Sequence, residues 1–363
     1  MNEDSSELSR PQPSVDPDTA PRPVPPEQVV LMGQRDERLP ERDRLSNPLG
    51  LFRRRRALIL FVLTCLSTFL VGFYGEPVFP HWAYINALWD PRFGSLWAHF
   101  VNGVTYSACV IGILGAHEMG HYLQARRYGV PASLPFFIPL PISPFGTMGA
   151  VIVQQSGVAD RKSMFDIAIS GPLAGLVIAL PVAYFGIRMT SMYPVTGIAA
   201  GGLEYKEPLL LVWMLEAVHG PLRDGHVWTL NPMLFAGWVG FFITGLNLVP
   251  IGQLDGGHIL YCLIGRKAHY VAQGLFYSAA CAVAYNFFFG DGSLVSWTVM
   301  LGLIWMFGTR HPPTANDRVP LGLVRIVLGW LTLMFIFIGL TPTPIAEFKP
   351  EKPEAPVVEQ ESS

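Results

Sequence analysis

The sequence has few charged residues and few cysteines for its length. Of 363 residues, 14% are charged and 50% are hydrophobic, a balance too apolar for an ordinary soluble domain. It also excludes a disordered protein and a coiled coil, and a net charge of -2 gives no electrostatic footprint for nucleic acid. The four cysteines are widely spaced and form no C-x-x-C pair, which excludes a disulfide-stapled module. What remains is a membrane protein that crosses the bilayer several times.

Seven apolar stretches are candidates for membrane spans, each of which takes about 20 residues. They cover residues 57–75, 93–116, 167–187, 231–254, 268–290, 292–309 and 326–346. The shorter run Pro208–Leu215 is not counted as a span. Four arginines, Arg53–Arg56, precede the first stretch and place the N-terminus in the cytoplasm by the positive-inside rule. We therefore expect an all-α polytopic membrane protein with about seven transmembrane helices.

Composition divides the chain into three parts. The first 50 residues contain nine prolines and many charges, so residues 1–56 are expected to form a disordered Pro-rich cytoplasmic tail. Residues 57–346 form the transmembrane domain, and residues 347–363 form a short acidic tail. The N-terminal segment has the pattern of neither a signal peptide nor an acid-poor transit peptide. This favours a multi-pass protein of the bacterial cytoplasmic (inner) membrane.

An H-E-x-x-H motif, His117–His121, directly continues the second apolar stretch. No proline lies from Arg92 through Val130, so this segment can be one continuous helix with both histidines on one face, one turn apart. Two imidazoles so placed can bind one Zn²⁺, and Glu118 beside them can accept a proton from water. The alternative is a His/Glu cluster that snorkels to the membrane interface. About 20 uncharged residues before the motif favour the metal site.

Asp255 is the candidate third zinc ligand. It follows the uncharged stretch 231–254, where an unpaired carboxylate would be costly unless a metal compensated it. Pro250 and several glycines break the helix here, which is tolerated only around a protein-lined or wet cavity. Asp255 would also make a good N-cap for the next helix. The nearby H-E-x-x-H helix favours the ligand role.

These motifs resemble those of the site-2 protease family of intramembrane zinc metalloproteases, in its PDZ-free bacterial and chloroplast branch. Two further segments are similar to the family: Gly146-Thr-Met-Gly149-Ala-Val-Ile and Asp166-Ile-Ala-Ile-Ser170-Gly171-Pro172-Leu-Ala-Gly175. The similarity covers about residues 95–265, the catalytic core. Because both segments are short, we expect no PDZ domain in the loop over 188–230 and no cystathionine-synthase-type regulatory domain in the tail after Ala346.

The resemblance implies an intramembrane zinc metalloprotease of the endopeptidase type. His117, His121 and Asp255 would bind one zinc per chain, and Glu118 would activate water. The substrate would be a transmembrane protein, cut within or near a membrane segment, and the lipid bilayer would be the other partner. Residues 145–155 would form a small membrane-associated β-hairpin or re-entrant loop near the active site. Its edge could pair with an unwound substrate by strand addition, or it could simply line the cavity.

Other polar residues allow more than one role. Asn247 could donate to a developing oxyanion or satisfy backbone groups freed by Pro250. His258 could support the site or face water. The remaining histidines stand alone in the sequence, and packing or interface roles are expected for His81, His99, His219, His226, His269 and His311. A catalytically inactive scaffold with the family fold and a metal transporter are the rival functions, although no repeated half supports a transporter.

Overall fold

The computed structural model describes residues 48–75, 95–155, 157–194, 203–290, 294 and 297–347. The predicted tails, up to residue 47 and after residue 347, and His81 lie outside these ranges. The chain divides into two units, Met1–Arg54 and Arg55–Ser363, and the packing below is that of the second unit.

The described residues are mostly helical, as expected. The helices are α1 Pro48–Tyr74, α2 Leu96–Arg127, α3 Arg161–Arg188, α4 Leu209–His219, α5 Pro232–Asn247, α6 Asp255–Ile264, α7 Ala268–Phe289, α8 Trp297–Phe307 and α9 Leu323–Gly339. Short strands form three two-stranded antiparallel sheets. They pair β1 Phe136–Leu140 with β2 Gly146–Val151, β3 Met192–Pro194 with β5 His226–Trp228, and β4 Leu203–Tyr205 with β6 Ile345–Glu347.

Three of the described helices are long and apolar enough to cross a membrane. They are α1 over Arg55–Tyr74, α2 and α3. Helices α5, α7, α8 and α9 coincide with the other four predicted spans, but the count of seven spans is not confirmed. Two predicted spans extend too far: α5 ends at Asn247 before Pro250, and α9 ends at Gly339. The run Pro208–Leu215, not counted as a span, lies largely within helix α4.

The long helices begin at side-chain caps and pack through small residues. The side chain of Ser95 accepts from the Ala98 N–H at the start of α2, and that of Asp160 accepts from the Ser163 N–H at the start of α3. Helix α2 runs without a break through the H-E-x-x-H motif to Arg127, so the predicted continuous helix is confirmed. Its closest neighbour is α3, and a Cβ added at Gly120 would lie 2.5 Å from the Ser170 carbonyl oxygen. Such small residues let apolar helices approach closely.

The expected hairpin is present between α2 and α3. Strands β1 and β2 pair from Phe136↔Val151 to Leu140↔Gly146, with an irregularity at Ile138/Pro139. Beyond the strands, an isolated bridge joins Ala132 to Gln154. The hairpin is therefore longer than its two regular strands, and its second arm passes beside the H-E-x-x-H helix.

Candidate active site

Helix α2 carries three buried ionisable side chains within two neighbouring turns. The exposed fractions of His117, Glu118 and His121 are 3%, 5% and 6%. The spacing of four residues places the two histidine rings 4.9 Å apart between centroids, as expected for one helix turn. Buried ionisable groups in an apolar helix need partners, and the structure provides them from a second element.

Asp255 comes to this helix face from a sharply folded loop. Helix α5 ends at Asn247, and α6 begins with Asp255 as its first residue, after the N-cap Leu254. The loop packs so tightly on α6 that a Cβ added at Gly256 would lie 1.8 Å from the Leu248 carbonyl oxygen. Only glycine permits that approach. The Asp255 carboxylate does not act as the N-cap that was considered as an alternative, because its two oxygens face His117 and His121.

The three side chains present a donor set that suits zinc. His117 Nε2 lies 3.1 Å from Asp255 Oδ2, His121 Nε2 lies 3.3 Å from Asp255 Oδ1, and the two Nε2 atoms are 3.2 Å apart. Ligand atoms about 2.0–2.1 Å from one tetrahedral zinc are roughly 3.3 Å from each other. Each histidine faces a different Asp255 oxygen, and one ligand atom from each of the three residues lies within 4.8 Å of the others, so the group can hold a single small cation. Within the described residues, this is the one group of three or more His, Cys, Asp or Glu side chains placed to hold a metal.

A backbone contact from α3 holds His121 in the orientation that such a site needs. His121 Nδ1 lies 2.7 Å from the Ile167 carbonyl oxygen, so Nδ1 donates and Nε2 keeps its lone pair for a metal. A Cβ added at Gly171 would lie 2.0 Å from His121 Nε2, and one at Gly175 would lie 3.2 Å from His117 Cβ. The Gly171-x-x-x-Gly175 spacing thus makes room for both rings. The sequence showed this motif only as a family likeness, without its physical reason.

A cavity of about 230 Å³ opens beside the three donor atoms. Glu118 and Asn247 both line it, and Asn247 Nδ2 lies 3.4 Å from His117 Nε2. The second arm of the hairpin also lines it through residues such as Ile152 and Gln154. The structure therefore brings all five predicted site residues and the hairpin to one cavity. Their chemical roles stay predictions.

His311, which stands alone in the sequence, has a partner in the fold: its Nε2 lies 2.5 Å from His258 Nδ1. The two residues are 53 positions apart in sequence, and no local pattern joins them. His258 lines the cavity but does not belong to the three-residue donor group. Four others have backbone carbonyl partners: His99 with Phe73, His219 with Ile187, His226 with Asp224 and His269 with His311.

Comparison with known proteins identifies the family of this chain. The model of Peptidase family M50, the site-2 protease family, matches residues 105–285. This region includes both histidines, Glu118, the hairpin, Asn247 and Asp255. The chain belongs to peptidase family M50. The resemblance found in the motifs is thereby confirmed.

Curated relatives are named as probable zinc metalloproteases. The chain is 29% identical over 237 residues to Probable zinc metalloprotease EGY2, chloroplastic, of Arabidopsis thaliana, covering 64% of this M50 chain and 41% of the relative. It is 28% identical over 307 residues to EGY1 of the same plant, covering 81% and 54%, and 32% identical over 240 residues to EGY1 of Oryza sativa subsp. japonica, covering 61% and 40%. The chain thus spans about half the length of these relatives, or less. Their names place them in chloroplasts and give no support to a bacterial inner membrane.

Proposed function

We propose that this M50 chain is an intramembrane zinc metalloprotease that hydrolyses a peptide bond within or near a transmembrane segment of a membrane protein substrate. One observation carries the proposal: His117, His121 and Asp255 bring metal-type donor atoms to within 4.8 Å of one another, beside a buried glutamate in one cavity. Family membership and the relatives' names agree with this chemistry.

In the proposal, His117, His121 and Asp255 hold one Zn²⁺ per chain. The hydrogen bond from His121 Nδ1 to the Ile167 carbonyl fixes the ring for binding through Nε2. When bound, zinc supplies a Lewis acid for the scissile carbonyl and makes a water acidic enough to lose its proton near neutral pH.

Glu118 is the proposed general base and acid. It follows His117 on the same helix and lines the same cavity, so it can accept the proton of the attacking water and deliver it to the leaving amine. Asn247 is the proposed donor to the developing oxyanion, because its Nδ2 lies beside His117 Nε2 at the cavity wall. If Asn247 instead satisfies backbone groups near Pro250, replacing it should not change the rate of the chemical step.

The hairpin is proposed to hold the substrate in extended form. The Ser133 N–H donates to the Val153 carbonyl, and the Gln155 N–H donates to the Pro131 carbonyl. Because successive residues of a strand direct their backbone groups to alternate edges, Ile152 and Gln154 present theirs to the other edge. Both residues line the cavity. A substrate segment that has lost its helical hydrogen bonds can regain some of them there.

Sequence charges support an arrangement in the membrane. We propose a cytoplasmic tail over 1–56, whose residues from Pro48 onward already belong to helix α1, a multi-pass transmembrane domain over 57–346 and an acidic tail over 347–363. The arginines before α1 support this orientation. From His117 to Arg126 is nine residues, roughly 14 Å of helix, and this distance supports the proposal of a site within the bilayer, toward the cytoplasmic face.

A peptide library in detergent tests the protease proposal against its rivals. We expect wild-type protein to cut library peptides, as identified by mass spectrometry, and Glu118→Gln to cut about 10²- to 10⁴-fold more slowly while keeping its zinc. Equal cutting by wild type, Glu118→Gln and His117→Ala would refute the assignment. Zinc binding without any cutting by the wild type would favour an inactive scaffold, and zinc uptake into vesicles would favour a transporter.

A further inference from the structure

A segment outside the matched family region forms part of the cavity wall. The stretch Gly308–Arg318, here called the 308–318 segment, follows helix α8 and lies beyond the region 105–285. Its two prolines, Pro312 and Pro313, line the same cavity as Glu118 and Asp255. Neither the motifs nor the family match assigns this segment a role.

A contact between His311 of the segment and His258 of helix α6 joins these two elements. His258 Nδ1 and His311 Nε2 are 2.5 Å apart, with rings nearly perpendicular at 89°. This separation is too short for two ligands of one zinc, which stand roughly 3.3 Å apart, so the contact is a hydrogen bond. The His311 side chain is buried and stacks on Tyr261 with ring centroids 4.3 Å apart. Burial lowers the pKa of His311 to about 3, so this ring is neutral.

Both ends of the segment are also fixed. At one end, Gly252 of the loop before Asp255 approaches so closely that its added Cβ would lie 2.4 Å from the Gly308 carbonyl oxygen. At the other end, Tyr261 donates a hydrogen bond of 2.9 Å to Asp317. The segment is therefore attached to the same loop and helix that carry Asp255, and its position is coupled to that of the proposed zinc ligand.

The two sides of the cavity differ in hydrogen-bonding capacity. On the hairpin side, Gln154 Nε2 is buried and has no hydrogen-bond partner, and such a donor is costly unless something binds to it. On the side of the 308–318 segment, neither proline has an N–H. A cavity of about 230 Å³ is smaller than the usual 300–1,000 Å³ of a small-molecule pocket. It suits a short stretch of extended chain that is hydrogen-bonded on the hairpin side and in apolar contact on the other.

We propose that Pro312 and Pro313 form the specificity-determining wall of the substrate cleft, which selects one apolar side chain of an extended substrate segment by its size. His311, through His258, is the positioning residue that holds this wall. The inference rests on the proposed function, since it names a subsite of that same cleft.

Cleavage-site profiling of the full-length protein tests the wall. The probe is a library of dodecapeptides in detergent, in which cut positions are read by mass spectrometry. We expect the double variant P312A/P313A to accept larger side chains at one position beside the cut, with a relative gain of about tenfold for Phe or Leu over Ala.

His311→Phe keeps an aromatic ring but loses the hydrogen bond, and it should broaden the range of side chains accepted at the same substrate position. His311→Gln keeps a polar group and should retain the wild-type preference at that substrate position. His226→Gln is the matched control, because His226 lies in β5, its Nδ1 contacts the Asp224 carbonyl, and it is not among the described residues that line the cavity.

Two further readouts separate positioning from loss of fold. Zinc per chain and the melting temperature should stay near wild type in P312A/P313A, and for the best peptide KM should change more than kcat. An unchanged cleavage preference in both P312A/P313A and His311→Phe would refute the proposal that the two prolines select the substrate side chain. The protease proposal would still hold in that case, provided that the wild type cuts the peptides. Failure of zinc-loaded wild type to cut any peptide would overturn the proposed function, and the wall with it.

Discussion

The contact between Gly171 and His121 gives the sharpest test of the metal site. In Gly171→Ala the new Cβ would lie 2.0 Å from His121 Nε2, about 1.4 Å short of the 3.4 Å at which ordinary contact begins. Either the ring rotates or helices α2 and α3 move apart. Zinc sites tolerate ligand displacements of only about 0.2 Å, so both responses remove Nε2 from the donor group. We expect zinc affinity to fall by more than about 100-fold, although overpacking itself should cost only about 1–3 kcal/mol of stability.

Two other glycines provide graded controls for this experiment. A Cβ at Gly175 would lie 3.2 Å from His117 Cβ, a tight but adjustable contact, and one at Gly112 would meet nothing within 4 Å. Zinc affinity, measured by competition with a chelator in detergent, should therefore fall in the order Gly112→Ala, Gly175→Ala, Gly171→Ala. Thermal unfolding of each variant measures the change in stability separately. Wild-type zinc affinity in a folded Gly171→Ala protein would refute the ligand role of His121 Nε2.

Three other predictions concern separate parts of the molecule. Asp255→Asn keeps the shape of the side chain but removes its charge, so zinc per chain by elemental analysis should fall strongly, and wild-type zinc content would contradict the ligand role. Asn247→Ala should lower kcat about 10²- to 10³-fold with KM little changed if Asn247 stabilises the oxyanion; equal kcat would favour its backbone role. Asp160→Ala should lower stability by about 1 kcal/mol at neutral pH, while Asp160→Asn keeps the cap. Hydrogen bonding from the Ser163 N–H lowers the pKa of Asp160 below 3.8. The stabilisation by the Asp160 cap is therefore present above pH 3.8 and is lost as the pH falls through the lower pKa of the folded state. Unfolding measured as a function of pH would show this loss.

The predictable parts of the site are those fixed by helix geometry. The spacing of His117 and His121 and the absence of proline around them were sufficient to predict one helix with both rings on one face. These features depend on local backbone preferences, which a single sequence carries directly. The hairpin, by contrast, was expected from the resemblance of residues 145–155 to the family.

The less predictable parts depend on contacts between distant segments. His311 looks isolated in sequence, and only the path of the 308–318 segment brings it to His258. The role of Gly171 is equally invisible, because it depends on where α3 crosses α2. Span limits fail for a related reason: apolar composition continues past Asn247 and Gly339, but prolines that follow end the helices.

The distribution of ligands over two elements follows from geometry and charge. On one helix, only positions one turn apart lie close enough to share a cation, since two turns already separate residues by about 10.8 Å along the axis. A third protein ligand to the His117–His121 pair would therefore have to come from another element, which in the proposal is the start of α6. Two neutral imidazoles would leave the full charge of Zn²⁺ uncompensated among buried, apolar helices. A carboxylate at position 255 halves that charge, and ionised Glu118 beside it would bring the sum to zero. In the proposed site, the preference for Asp over a third His at this position is thus electrostatic, and for this reason Asp255→Asn, equal in shape, is expected to lose zinc.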